Sequence, residues 1–178
     1  MQYIKRNGNM ARTLIMMGVS GCGKSAIGSK LAAYLGCRFV EGDALHAPAS
    51  VAKMAAGTPL DDADRHGWLL RLQAIIAQAQ AADETIVVSC SALKRRYRQL
   101  LREGDATLFC IHLQARRALL EARMQSRRHF MPVSLLESQL RDLEPLASDE
   151  RGMCVEVDAD TASQAVVATI ASALESHQ

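Results

Sequence analysis

The chain has 178 residues, 49% of them hydrophobic and 22% charged, with 21 Lys and Arg against 19 Asp and Glu. Such a composition excludes a disordered tract, and the length suits one domain, residues 1–178, rather than two. A net charge of +2 gives no electrostatic case for nucleic-acid binding, and no apolar run approaches a membrane span.

Five scattered cysteines, Cys22, Cys37, Cys90, Cys110 and Cys154, form no C-x-x-C pair, which argues against a disulfide framework or a zinc site. Reduced thiols in a cytoplasm fit better. Residues 1–12 carry Lys5, Arg6 and Arg12 with no apolar stretch between them, so they read as an N-terminal extension and not as a leader.

The first element is an apolar run at 13–17, stopped by Gly18, which predicts a strand buried on both faces. The stretch from Gly18 to Ser25, GVSGCGKS, follows it and fits G-x-x-x-x-G-K-[ST] in full. Around Gly18, Ser20, Gly21, Cys22 and Gly23, backbone N–H groups can turn inward on the phosphates of ATP. Lys24 would bridge the β- and γ-phosphates and Ser25 would bind Mg2+. Cys22 has two readings, a thiol activated by the helix N-terminus and Lys24, or a small residue that fits a tight loop.

Ile27, Leu31 and Leu35 then recur at helical spacing up to Gly36, and 37–40 reads as a second strand. Asp61 and Asp62 can cap a long helix whose apolar side carries Trp68, Leu69, Leu72, Ile75, Ile76 and Ala79. A third strand at 85–90, a basic helix at 94–102, a fourth strand at 107–113 and a helix at 116–125 follow. After a polar break at 126–132 come a helix at 134–143, a fifth strand at 153–157 and a closing helix at 161–174. Strands alternating with helices predict an α/β fold, a five-stranded parallel sheet flanked by helices, with ligands outside the carboxyl ends of the strands.

A GTPase would carry an N/T-K-x-D motif, and an ordinary ATPase an Asp ending the third strand; both are missing here. The available carboxylates are Glu41 and Asp43 at the end of the neighbouring strand, with Glu41 reaching the metal through water. That arrangement favours a small-molecule kinase.

Polar clusters mark the acceptor side. The chain reads MGVSGCGKS, GDALH, KMAAGTPL, DDADRHGWL, CSALKRRYRQLLR, HFMP and SQLRDLE in that order. In this series, from about Ile15 to Asp158, it resembles the gluconate kinases, a family of P-loop small-molecule kinases. The resemblance implies ATP-dependent phosphorylation of D-gluconate at the 6-hydroxyl, a nucleoside-monophosphate-kinase-like fold, Mg2+ and a homodimer. A sugar acid offers one carboxylate and several hydroxyls, so its pocket needs a cation and hydrogen-bonding groups. Lys53, Arg65 and Arg98 are the candidate cations, and Lys94, one turn from Arg98, could face the same site. Asp43, His46 and Ser91 are the candidate hydroxyl partners, with Asp43 orienting and deprotonating the attacking hydroxyl.

Bland alternatives stand beside these roles: Asp43 as a helix cap, His46 as a hydrogen-bonded loop histidine, Arg65 paired with Asp61 or Asp62. Arg123 and Arg127, followed by Arg128 and His129, suggest a lid at about 123–134. Its arginines would stabilise charge on the transferring group, Arg127 would also touch the nucleotide, and His129 would contact the acceptor. The family usually has Gly before the HFMP histidine, whereas Arg128 stands there, and Glu41 replaces a common Asp. Two rivals remain at this point: a kinase of another aldonate or of shikimate, and a nucleotide-binding protein that performs no transfer.

Overall fold

A computed structural model describes residues 13–126 and 134–176. Its strands are β1 (Thr13–Met17), β2 (Arg38–Glu41), β3 (Ile86–Ser89), β4 (Phe109–Gln114) and β5 (Gly152–Glu156). The helices are α1 (Lys24–Leu35), α2 (Pro48–Ala55), α3 (Asp62–Ala81), α4 (Arg95–Arg102), α5 (Arg117–Ser126), α6 (Ser134–Asp142) and α7 (Ser163–Ser176). One 3-10 turn, Gly42–Leu45, joins β2 to the segment before α2.

The five strands form a single sheet in the order β2-β3-β1-β4-β5, and every neighbouring pair is parallel. Side chains alternate across a strand, so β1 feeds two cores. Leu14 and Met16 join Ile27, Leu31, Leu120, Val167 and Ile170 on one face. Ile15 and Met17 join Trp68, Leu72, Ile76 and Leu101 on the other. Because both faces are covered, β1 reads as an unbroken apolar run.

Strand order reverses at β1, which lies between β3 and β4, so the crevice at its carboxyl end is where an open α/β sheet takes ligands. The loop after β1 occupies that crevice. Helix α3 starts at a reciprocal capping box: the Asp64 N–H donates to Asp61 Oδ1 at 2.8 Å and the Asp61 N–H to Asp64 Oδ2 at 3.0 Å. Helix α2 has no counterpart in the sequence reading. Pro48 in its first turn and the buried pair Ser50 and Met54, one turn apart, are the signals that mark it.

Among the described residues no helix is long and apolar enough to cross a membrane.

Candidate active site

The loop between β1 and α1 turns as a phosphate loop does, but the N–H groups of Gly18, Ser20 and Cys22, expected to face phosphate, donate to protein acceptors, Cys22 to the Val19 carbonyl at 3.4 Å. Gly18, Gly21 and Gly23 have φ of 134°, 86° and 102°, a region L side chains avoid, which gives the loop its tight turns. Helix α1 begins at Lys24, adding its positive end. Three neighbours hold the loop. The Gly18 N–H donates to the Ser91 carbonyl at 3.2 Å, Arg123 Nη1 to the Gly21 carbonyl at 3.4 Å, and the Ser20 N–H to Gln139 Oε1 at 2.7 Å.

Lys24 is nearly buried, its Nζ donating to the Val19 carbonyl at 3.1 Å, while Ser25 is exposed. A triphosphate fits this donor set, and the exposed Ser25 hydroxyl suits a hard divalent cation. Cys22 turns into the core with 0% exposure and packs on Gly18, so of its two readings the small residue that fits a tight loop holds and the accessible, activated thiol does not.

At the end of β3, Ser89 stands where a Walker-type ATPase would place an acid. The Glu41 carboxylate, from the neighbouring β2, accepts a hydrogen bond from the Ser89 hydroxyl, which itself accepts from the Gly42 N–H at 3.1 Å. A carboxylate thus stands on the neighbouring strand, and the serine fixes it there.

The 3-10 turn that follows presents Asp43 and His46. Among the described residues no donor is spent on the Asp43 carboxylate, while its carbonyl accepts from the His46 N–H at 3.3 Å. His46 stacks on Trp68, centroids 4.2 Å apart and planes 16° from parallel, and its buried Nδ1 has no hydrogen-bond partner among the described residues. Burial lowers its pKa, against the pull of Asp43 and with help from Arg65 and Arg71, so the ring is held neutral. Trp68 is more than a core residue: its Nε1–H donates to the Gly42 carbonyl at 2.7 Å and pins the turn to α3.

The proposed cations differ in how much of their charge is already matched. Lys53 pairs with Asp64 and lies 3.8 Å from Asp61, and the Asp64 hydrogen bond raises its pKa. Lys94, which caps α4, pairs with Asp62 at 3.2 Å and Asp142 at 3.4 Å. Asp62 also takes Arg96 and the Tyr97 hydroxyl. Arg65 is buried at 7% exposure and donates from Nε to the Leu60 carbonyl at 3.3 Å. The expected pairing of Arg65 with Asp61 or Asp62 does not form, and no carboxylate among the described residues pairs with it. Its charge is close enough to act on both His46 and Tyr97.

Arg98 is a second correction. It is fully buried, with bonds to Glu150 from Nε at 2.8 Å and Nη2 at 2.7 Å, and to the carbonyls of Ala92, Leu93, Glu144 and Pro145. A guanidinium has five N–H donors, and all are spent, so Arg98 shapes the loop beneath the site and offers nothing to a ligand. Lys94 accordingly does not share a ligand-facing surface with it. Ser91 is buried, its carbonyl committed to Gly18. Arg123 lies in the last turn of α5 against the phosphate loop, its other contact being the Asp158 carbonyl at 3.4 Å. Arg127, Arg128 and His129, and with them the central part of the expected lid, fall outside the described residues.

A phosphate loop at the switch point, a carboxylate on β2 and an acceptor-side cluster beside it define a P-loop small-molecule kinase. A family model described as an AAA domain matches residues 14–146. The chain is 47% identical over 140 residues to a gluconokinase of Gluconobacter oxydans, covering 78% of this chain and 79% of that one. It is 42% identical over 153 residues to a thermosensitive gluconokinase of Escherichia coli, covering 85% and 82%. A solved gluconokinase from Sinorhizobium meliloti superposes with a TM-score of 0.77 at 40% identity, over 97% of both chains. The chain belongs to the gluconokinase family.

Two features escaped the sequence reading. Gln139 reaches the phosphate loop across 119 residues of sequence, which no local pattern shows. The missing Walker acid was legible, but the hydrogen bond from Ser89 to Glu41 was not, because it depends on the register of β2 on β3 that sets the two opposite each other.

Proposed function

We propose that the chain transfers the γ-phosphoryl group of ATP to the 6-hydroxyl of D-gluconate, giving 6-phospho-D-gluconate and ADP. The observation that carries this reading is the uncommitted Asp43 carboxylate on the Gly42–Leu45 turn, at the end of the sheet where the phosphate loop lies.

Asp43 accepts the hydrogen bond of the attacking hydroxyl and takes its proton as oxygen bonds to Pγ. The bond from Pγ to the bridging oxygen breaks and its electron pair leaves with ADP. Lys24, released from the Val19 carbonyl, binds the β- and γ-phosphates. Arg123 stands against the loop on the side of Gly21 and adds positive charge there. Ser25, with Glu41 through water, is the ligand set for Mg2+, which when bound offsets charge on the phosphate oxygens. Arg65 takes the gluconate carboxylate, and His46, Ser91 and Lys53 take its hydroxyls. Arg127 on the nucleotide and His129 on the acceptor complete the set that the family resemblance implies.

Five cysteines, all free, support a reducing cytoplasmic setting, and the homodimer rests on the family resemblance alone. The test is ADP release from Mg-ATP by purified protein with D-gluconate, other aldonates or shikimate. Stimulation by gluconate supports the assignment. Stimulation by shikimate alone, or nucleotide binding with no acceptor-dependent release, overturns it.

A further inference from the structure

The phosphate loop is gripped from outside by a side chain that the transfer mechanism does not use. Gln139, on α6, is buried at 6% exposure. Its Oε1 accepts from the Ser20 N–H at 2.7 Å and its Nε2 donates to Ser20 Oγ at 3.1 Å, so both ends of one amide engage one loop residue. A two-point contact fixes orientation as well as distance, and a buried amide loses more than one bond when its partner is removed.

The same helix is anchored elsewhere. Leu135, one turn earlier on the same face as Gln139, packs with Met54 of α2 and with Leu60. Leu60 supplies the carbonyl that holds Arg65, and Met54 is adjacent to Lys53. Helix α6 is therefore a strut, set in the acceptor-side cluster at one turn and on the phosphate loop at the next.

We propose that Gln139 is a positioning residue for phosphoryl transfer, which fixes the Ser20 segment of the phosphate loop relative to the acceptor side. The proposal rests on the loop binding nucleotide and not on gluconate being the acceptor. Ser20 lies between Gly18 and Gly21, both at positive φ, so loss of the Gln139 contact loosens this part of the loop.

The experiment is ADP binding by calorimetry without acceptor, followed by steady-state kinetics, on the full chain and on Gln139→Met and Gln139→Glu. Gln139→Met keeps length and removes the two hydrogen bonds to Ser20. ADP should bind roughly 5- to 20-fold more weakly and the KM for ATP should rise in step, with the acceptor KM within about 2-fold of the parent. Gln139→Glu keeps size, but when ionised it can only accept, so the Ser20 hydroxyl must reverse its bond, and a negative charge stands beside the bound phosphates. Its ADP affinity should improve as pH falls from about 7 to 5, a trend absent from the parent and from Gln139→Met. The proposal is overturned if Gln139→Met binds ADP as the parent does, or if melting temperature and acceptor KM suffer as much as ADP affinity. If Gln139→Met does not fold, a flat pH profile for Gln139→Glu overturns it alone. Loss of gluconate turnover in the parent chain would instead count against the acceptor assignment and leave the ADP arm readable.

Discussion

Arg98 and Glu150 form a bidentate ion pair with side chains 0% and 4% exposed, and the same guanidinium closes on the carbonyls of Ala92 and Leu93. Ala92 sits at φ 44°, a left-handed conformation that costs a residue with a β-carbon about 1–3 kcal/mol. The pair therefore holds a strained turn whose preceding residue, Ser91, carries the carbonyl that receives the Gly18 N–H. Removing one partner leaves a buried charge and several carbonyls unmatched. Arg98→Met is expected to cost about 3–5 kcal/mol in urea unfolding. Arg98→Lys should recover little, because a single ammonium cannot reproduce a planar fork. A loss below about 1 kcal/mol for Arg98→Met would remove the turn-holding role.

Glu150 gives the same network a pH signature. Burial alone would raise its pKa, but hydrogen bonds from Arg98, from the Ala147 N–H and from Arg102 outweigh it and hold the group at about 2, against an ordinary 4.5. A depressed carboxylate stabilises the fold fully above its unfolded pKa, and the contribution fades as pH falls through the folded one. The stability gap between the parent chain and Glu150→Gln should accordingly be constant from pH 7 to about 5 and shrink between about 4.5 and 2. A gap that is flat across that window would show that the charge on Glu150 does not matter.

Gly42 is required by closeness, not by backbone freedom. A Cβ there would lie 2.0 Å from the Ser89 carbonyl oxygen, so any side chain drives the turn off β3. Its N–H and C=O are also both engaged, by Ser89 Oγ and by Trp68 Nε1. Gly42→Ala is expected to cost about 1–3 kcal/mol of stability through overpacking. Turnover should fall by at least about 100-fold, since reacting groups displaced by an ångström lose that much. ADP affinity should change far less, because the phosphate loop hangs on β1 and α1. Normal turnover in Gly42→Ala would contradict the placement of Asp43 in the site.

Much of this was legible from residues alone, for physical reasons that also mark where legibility ends. The run at 13–17 reads as a doubly buried strand because both faces of β1 are covered, and GVSGCGKS reads as a phosphate loop because only glycines reach its φ values. The placement of Asp43 at the sheet's carboxyl end was legible from its position just after a predicted strand, where it lies on the Gly42–Leu45 turn. Arg98 misleads because Lys94 to Arg96, just before it, are charged and at least partly exposed, while its partner Glu150 comes from a distant loop. Cys22 left two readings open in the sequence, and its side chain, packed in the core under Gly18, selects the small residue that fits a tight loop. Helix α2 is missed because eight residues give barely two turns of periodicity.

Asp43 and Lys24 should separate acceptor chemistry from nucleotide charge. Asp43→Asn keeps the shape and the hydrogen-bonding oxygen but cannot take a proton, so turnover at saturating gluconate is expected to fall about 100-fold or more with ADP affinity unchanged. Near-normal turnover would leave Asp43 as an orienting group only. Lys24→Ala should abolish detectable transfer; retained transfer would overturn the reading of the loop itself.

The acceptor carboxylate should be matched by Arg65 and not by Lys53, and charge accounting within the site decides between them. Lys53 already faces two carboxylates, Asp64 and Asp61, so a third gains little from it. Arg65 has one backbone carbonyl on Nε and no carboxylate among the described residues, which leaves its terminal N–H groups for a bidentate anion. Arg65→Met is therefore expected to raise the gluconate KM by about 100-fold, in line with the loss of a charge-assisted pair, while Lys53→Met raises it by less than about 10-fold. Comparing gluconate with its uncharged analogue glucitol sharpens the test: Arg65→Met should erase the preference for the acid, and Lys53→Met should keep it. The reverse ranking would move the carboxylate to the Lys53 side of the site and leave Arg65 as a support for the Leu60 turn.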